Sequence, residues 1–235
     1  MILVCAATGT EAAACRAGIA DAGAPGIEVL TTGVGPERAA AALRAWLRSV
    51  RPTLIVSSGF AGALTDGIPP LSWITASALF RLDAGRALPV ALTPGLLRVA
   101  DGALACAVVS AAHVVTPPIA GLADPAAADM ESAALGEVAG AAGIPFLVLR
   151  LVTDTPAQPL PRSVHGLSAA LAARGVTARF AQGARAALLA ARAPARSAAF
   201  LRDALAWRER LRAGWSDRAR RGVPSALATS ISPRA

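Results

Sequence analysis

Three carboxylates, Glu11, Glu131 and Asp154, stand beside loops marked by glycine, threonine or proline in a chain of 235 residues. Glu131 belongs to the run Ala128-Asp129-Met130-Glu131-Ser132-Ala133-Ala134. Asp154 closes the run Ile144-Pro145-Phe146-Leu147-Val148-Leu149-Arg150-Leu151-Val152-Thr153-Asp154, with Arg150 four residues before it. Acids at the ends of elements can reach a ligand that the elements hold still, and positioned carboxylates serve as proton donors, acceptors and hydroxyl binders. Two glycine-bearing stretches, Gly33-Val34-Gly35 before Arg38 and Gly59-Phe60-Ala61-Gly62, read as further walls of the same pocket.

Each acid also has an ordinary structural reading. Thr8-x-x-Glu11 fits a capping box, Glu131 suits the first turn of a helix, and Asp154 before Thr155-Pro156 can form a turn. From spacing alone both readings stay open.

The elements that would position these groups follow from the apolar runs. Residues 2–6 read as a buried strand and 11–22 as a helix closed by Gly23. Residues 27–30 read as a strand and 37–50 as a helix behind Pro36, with Leu43, Trp46, Leu47 and Val50 as its buried stripe. A third strand is expected to start at 54–56 and end in the stretch Ser57–Gly62, with further strands at 72–80, 88–92 and 105–111 and a helix at 94–103. A helix after Glu131 and the strand ending at Asp154 follow. Further on come a proline-rich loop, helices at 164–174 and 176–192, and a last helix at 200–215. Strands alternating with helices indicate an α/β domain with a parallel or mixed sheet. Ligands gather at strand carboxyl ends in such sheets, and Glu11, Gly33, Gly59, His113 and Asp154 all follow expected strands. The expected division is a catalytic domain over residues 1–195 and a basic amphipathic helix and tail over 196–235.

Composition narrows the function. Hydrophobic residues make up 54% of the chain, enough for a sizeable core. The net charge of +8 is uneven. Residues 1–178 hold 11 Arg and 12 acids, whereas residues 179–235 hold 12 Arg and 3 acids. A near-neutral body argues against a nucleic-acid protein. Cys5, Cys15 and Cys106 are scattered, the only histidines are His113 and His165, and no metal-ligand spacing occurs. Neither metal nor disulfide framework is expected, and a cytoplasmic setting fits. Gly33-Val34-Gly35 lacks the third glycine and following acid of a dinucleotide fingerprint, and no Gly-x-x-x-x-Gly-Lys loop exists. No cofactor is expected. No apolar run of spanning length and no leader segment is read.

Taken together, the Met130-Glu131-Ser132-Ala133-Ala134 run, Arg150-x-x-x-Asp154 after a Pro-Phe strand, Glu11, Thr32-Gly33-Val34-Gly35 and Gly59-Phe60-Ala61-Gly62 resemble the purine nucleoside phosphorylase/nucleosidase superfamily. They are most similar to the 5′-methylthioadenosine/S-adenosylhomocysteine nucleosidases, over roughly residues 1–160. Val114-Val115-Thr116 and the stretch from Thr153 to Pro161 resemble the hopanoid-associated branch, whose substrate is an adenosylated lipid. The resemblance implies a three-layer nucleoside phosphorylase-like fold, with a mixed central sheet flanked by helices, and a homodimer in which a partner residue completes the pocket. It implies that Asp154 protonates N7 of a purine, that Glu131 binds the ribose hydroxyls with Met130 against the sugar, and that Glu11 orients water. Arg150 would hold the anionic groups in place, and Gly33, Gly59, Phe60, Ala61, Gly62 and Val114 would contact substrate. Phosphorylases of this kind carry an Arg-bearing loop after the first strand. Thr8-Gly9-Thr10-Glu11 offers a carboxylate there, which favours water over phosphate. Phe60 and Val114 depart from the Ser and Phe of the methylthioadenosine enzymes, which argues against methylthioadenosine itself. A phosphorylase and a non-catalytic nucleoside-binding module are the alternatives.

The last helix is read in two ways. Phe200, Ala204, Trp207, Leu211 and Trp215 recur at spacings of three or four among arginines. That stripe either rests on anionic lipid, making the protein peripheral at a membrane, or packs on the domain or a partner subunit.

Overall fold

A computed structural model describes residues 1–115, 119–160, 194–223 and 227–228. The expected apolar runs form β1 (Ile2–Ala6), β2 (Ile27–Thr31) and β9 (Phe146–Asp154), and alanine-rich segments form α1 (Gly9–Asp21), α2 (Pro36–Leu47) and α3 (Ser132–Ala141). Between them lie β3 (Leu54–Ala63), β4 (Trp73–Asp83), β5 (Arg86–Pro89), β6 (Leu97–Ala100), β7 (Leu104–Ser110) and β8 (Ala126–Asp129). The chain ends in α4 (Pro194–Arg221) and the two-residue β10 (Leu227–Ala228). The helices expected at 164–174 and 176–192 lie outside the described residues, as do Thr116, Pro161, His165 and most of the tail beyond 223.

Strands covered by helices on both sides must be apolar on both faces, and β1 and β9 are. Leu3, Phe146 and Val148 pack with Leu43 of α2 and Leu135 and Val138 of α3. Their neighbours in sequence, Val4, Leu147 and Leu149, pack with Cys15 and Ile19 of α1 and with Leu211 and Trp215 of α4. The alternation sorts one strand's side chains into two cores and makes three layers.

The sheet is mixed. β1 lies between β2 and β3 in parallel register, and β3 continues in parallel to β9. From β9 the pairing runs through β4, β7 and β8 and returns to β3, closing a ring. The β9–β4 and β8–β3 pairs are antiparallel. The carboxyl ends of β1, β2, β3 and β9 therefore share one edge, and β8 delivers Asp129 and Glu131 to it by pairing with Gly62–Ala63.

Four local expectations need correction. Residues 94–103 are not helical: Pro94 and Gly95 make a turn, and β6 pairs with β9 and β10, so sheet pairing overrides helix propensity. β8 is an alanine strand that propensity does not announce. It fits because Ala126 and Ala127 are small enough to be wedged, fully buried, between β3 and β7. The strand expected at 88–92 is displaced to Arg86–Pro89. α2 stops at Leu47, which leaves Val50 42% exposed instead of buried.

The apolar stripe of α4 is turned inward. Leu211 and Trp215 are wholly buried, and Trp215 Nε1 donates to Ser58 Oγ at 2.9 Å. Gly18 of α1 and Gly214 of α4 permit the close approach. A Cβ on Gly18 would collide with the Arg212 carbonyl, and one on Gly214 with the Trp73 ring. Arg212 of α4 also pairs with Asp21 of α1 at 2.7 Å.

Candidate active site

The Thr8–Glu11 capping box forms as the spacing suggests. Thr8 Oγ1 accepts from the Glu11 N–H at 3.2 Å, while Glu11 Oε2 accepts from the Thr8 N–H at 2.8 Å and from its hydroxyl at 2.7 Å. That role leaves Oε1, which accepts the Phe60 N–H at 3.0 Å. Capping and cleft placement thus coexist in one side chain: the cap fixes where the carboxylate sits, and Glu11 lines the cleft. Gly59 makes room for it. With φ at +135° and a Cβ position that would collide with the Glu11 carboxylate, only glycine fits there.

Glu131 does not cap α3, although it occupies the N-cap position. The first N–H groups of that helix are taken by others. Asp129 Oδ1 accepts from Ser132 N at 3.3 Å, and Ser110 Oγ accepts from Ala133 N at 2.8 Å while donating to Asp129. Glu131 is thereby left to accept the Gly35 N–H at 2.9 Å and Arg150 Nη2 at 3.3 Å. Gly35, just before α2, thus serves a carboxylate.

Arg150 is the electrostatic centre. It is 2% exposed, with Nε 2.8 Å from Asp129 Oδ2 in an ion pair that is off the N–H axis. Nη2 also donates to Ser57 Oγ at 2.9 Å, and Nη1 to the Phe60 carbonyl at 3.1 Å. Burial opposes its charge, but Asp129, Glu131 and Glu11 outweigh that and hold the guanidinium above its ordinary value. One cation among three carboxylates leaves an excess of negative charge. Burial, reinforced by Asp129 and Glu11, pushes Glu131 up to about 7 against the opposing pull of Arg150 and Gly35.

Asp154 does not cap its own loop either. Thr155 does that, its Oγ1 accepting from Gln158 N at 3.2 Å. Burial pushes the Asp154 carboxyl up to about 6, while the Thr153 hydroxyl, donating to Oδ1 at 2.9 Å, pulls the other way. Gly62 sits against it at a register shift between β3 and β9, and a Cβ there would lie 2.6 Å from Oδ2. Gly59 and Gly62 therefore each vacate the volume of one carboxylate.

These groups share a cleft of about 760 Å³. Glu11, Arg150, Glu131 and Asp154 line it, as do Gly33, Met130 and Val114 and the stretch Phe60–Gly62. Gly59 does not; it lies behind Glu11. Several participants carry no signal in the sequence. Asp129, Ser57 and Ser110 look like ordinary strand residues, and their roles arise only from strands brought together. Phe200, Ala204 and Trp207 of α4 form another wall, with the Trp207 ring 6.4 Å from Phe60 and 5.6 Å from Phe200. Arg38 also lines the cleft, its side chain lying across Gly33. Among the described residues no cluster of His, Cys, Asp and Glu has the arrangement of a metal site.

No family model matches the sequence, and no curated protein matches it. Solved structures do match the fold. One assigned as a 5′-methylthioadenosine/S-adenosylhomocysteine nucleosidase, from Borrelia burgdorferi and bound to adenine, is 20% identical with a TM-score of 0.53, over 66% of this chain and 87% of that one. An S-adenosylhomocysteine nucleosidase from Streptococcus pyogenes is 19% identical with a TM-score of 0.51, over 67% and 85%. A futalosine hydrolase mutant from Helicobacter pylori is 14% identical with a TM-score of 0.52, over 64% and 88%. The fold is nucleoside phosphorylase-like. At these identities the likeness speaks for architecture, and the chemistry has to be argued from the cleft.

Proposed function

We propose that the protein hydrolyses the N-glycosidic bond of a 5′-substituted adenosine or related purine nucleoside and releases the base. The observation that carries this reading is the convergence of Glu11, Glu131 and Asp154 on one cleft, each in a different environment. Cleavage requires a proton for the departing base and stabilisation of the ribosyl cation. Asp154, raised to about 6 by burial, is suited to hold the proton and donate it to N7. Glu131 is suited to accept hydrogen bonds from the ribose 2′- and 3′-hydroxyls, which add to Gly35 and Arg150 in favouring its carboxylate form. Its negative charge lies where positive charge develops on the sugar. Glu11, tied down by Thr8 and Phe60, is suited to orient the attacking water, and Met130 packs against the ribose. Gly33, Ala61, Gly62 and Val114 complete the substrate's surroundings.

Water is favoured over phosphate because Arg150 is already engaged by two carboxylates, while Glu11 would repel an anionic nucleophile. Phosphorolysis is the second reading, and the observation in its favour is Arg38 on the cleft wall. For the 5′ substituent, the apolar wall of Phe60, Phe200 and Trp207 favours a hydrocarbon group, with adenosylhopane the candidate that the sequence motifs suggest. The same resemblance suggests a homodimer, to be tested by analytical ultracentrifugation.

Adenine release from adenosine derivatives with short and long 5′ substituents, with and without phosphate, tests the reading. Glu131→Gln and Asp154→Asn are each expected to lower kcat by ~10²–10⁴-fold. Undiminished release in either variant removes the role given to that residue. Strict dependence on phosphate selects the phosphorylase. Ligand binding without release from any substrate selects a non-catalytic nucleoside-binding module.

A further inference from the structure

Two of the four exposed large hydrophobic residues identified in the described part of the chain fall on adjacent turns of one helix. Leu201 and Leu205 of α4 are 64% and 62% exposed. They lie next to Phe200 and Ala204, which point into the cleft, so the same two turns present one apolar stripe to the cleft and a second to solvent. Arg208 continues the outer stripe at the next turn and Arg202 flanks it; Arg202, Arg208 and Arg210 are all exposed. Among the described residues none of the three makes an ion pair, whereas Arg212 and Arg221 are tied to acids. Asp203 and Glu209 are the acids on this stretch. Across α4 there are eight arginines against three acids.

We propose that the N-terminal half of α4 is a docking surface for an anionic lipid membrane, with Leu201 and Leu205 entering the interface and Arg202 and Arg208 on the headgroups. Charge complementarity selects this occupant. An exposed leucine pair set among arginines matches acyl chains beneath negative headgroups, and residues 1–178 are close to neutral. Further along the helix, Leu211 and Trp215 on the neighbouring stripe are buried in the second core, so the surface is presented on a fixed support. Because Phe200 and Trp207 lie on the neighbouring stripe, docking would bring the cleft mouth next to the bilayer. This inference does not depend on which reaction the cleft performs.

Co-sedimentation of the full chain with vesicles of phosphatidylcholine plus phosphatidylglycerol, and of phosphatidylcholine alone, provides the test. Wild type should sediment with the anionic vesicles, less with the neutral ones, and less again at raised salt. Leu201→Ser/Leu205→Ser should lose most of the binding. Arg202→Gln/Arg208→Gln should weaken it by about thirtyfold. Both double variants should keep the wild-type thermal unfolding midpoint, since none of the four side chains is buried. Equal sedimentation of wild type and the leucine variant overturns the proposal, as does no binding of wild type to anionic vesicles. A wild-type dimer that the leucine variant dissociates, with vesicle binding unchanged, would assign the patch to a second copy and overturn it as well.

Discussion

Gly62 and Gly59 illustrate how single residues create the site by what they lack. β3 passes beside both Glu11 and Asp154, and a methyl group at either glycine would occupy a carboxylate's place. Gly62→Ala is expected to displace Asp154 while leaving the cores untouched, lowering kcat by at least ~10²-fold with a normal far-UV spectrum. Steady-state kinetics and circular dichroism on the same preparation check both halves. The raised carboxyls also set the pH dependence. Donation requires protonated Asp154, so activity falls as pH rises through about 6. Hydroxyl binding requires ionised Glu131, so activity falls as pH drops through about 7. A narrow bell between these values is expected for kcat/KM. A flat profile from pH 5 to 9 would contradict these roles.

Among the elements, α4 has the most dependent on it. Its inner stripe seals the second core through Leu211 and Trp215, and two turns earlier it walls the cleft with Trp207 and Phe200. Trp215→Ala removes the largest of these side chains and leaves Ser58 without its indole donor. A loss of about 3–5 kcal/mol is expected, measurable by urea denaturation, with loosening of the Trp207 wall seen as a rise in KM for substrates with bulky 5′ groups. A stability loss under 1 kcal/mol would mean that α4 is anchored elsewhere. Gly18 and the Arg212–Asp21 pair hold α4 to α1, Gly214 lets it lie against Trp73 of β4, and the exposed ion pair is the least of these devices.

For the whole molecule, a site with excess buried negative charge has a stability cost. Asp154 and Glu131 have folded pKa values above their unfolded ones, so the native state binds more protons than the unfolded state in the interval between. Stability must fall as pH rises from about 4 towards 6 and 7, and level off above. Asp154→Asn removes one such carboxylate, which is expected to stabilise the protein at pH 8 by roughly 2–3 kcal/mol and to have little effect at pH 4. Thermal unfolding of wild type and variant at both pH values checks the sign, and a variant less stable at pH 8 would contradict it. The stability cost and the proposed catalysis share an origin, because burial both destabilises the carboxylate and keeps its proton.

The sequence by itself determined the α/β alternation, the two-sided apolar strands, the capping box at Glu11 and the glycines of β3, since these depend on neighbours a few residues apart. It also marked the three carboxylates, though not which of their two readings applied. Tertiary structure showed that Glu11 does make its cap, while other groups make the cap of α3 and the turn after Asp154. Asp129 and Ser110 relieve Glu131 of capping α3, and Thr155 relieves Asp154 of its loop; Ser110 becomes visible as a partner only when β7 and β8 are side by side. The same holds for the alanine strand β8, which propensity could not find because its stability lies in how little space it needs between β3 and β7. The inward turn of Phe200, Trp207 and Trp215 was equally out of reach, because helical spacing defines a stripe and not the surface it meets. Local rules fix which side chains share a face; only the closed arrangement of distant strands fixes what that face touches.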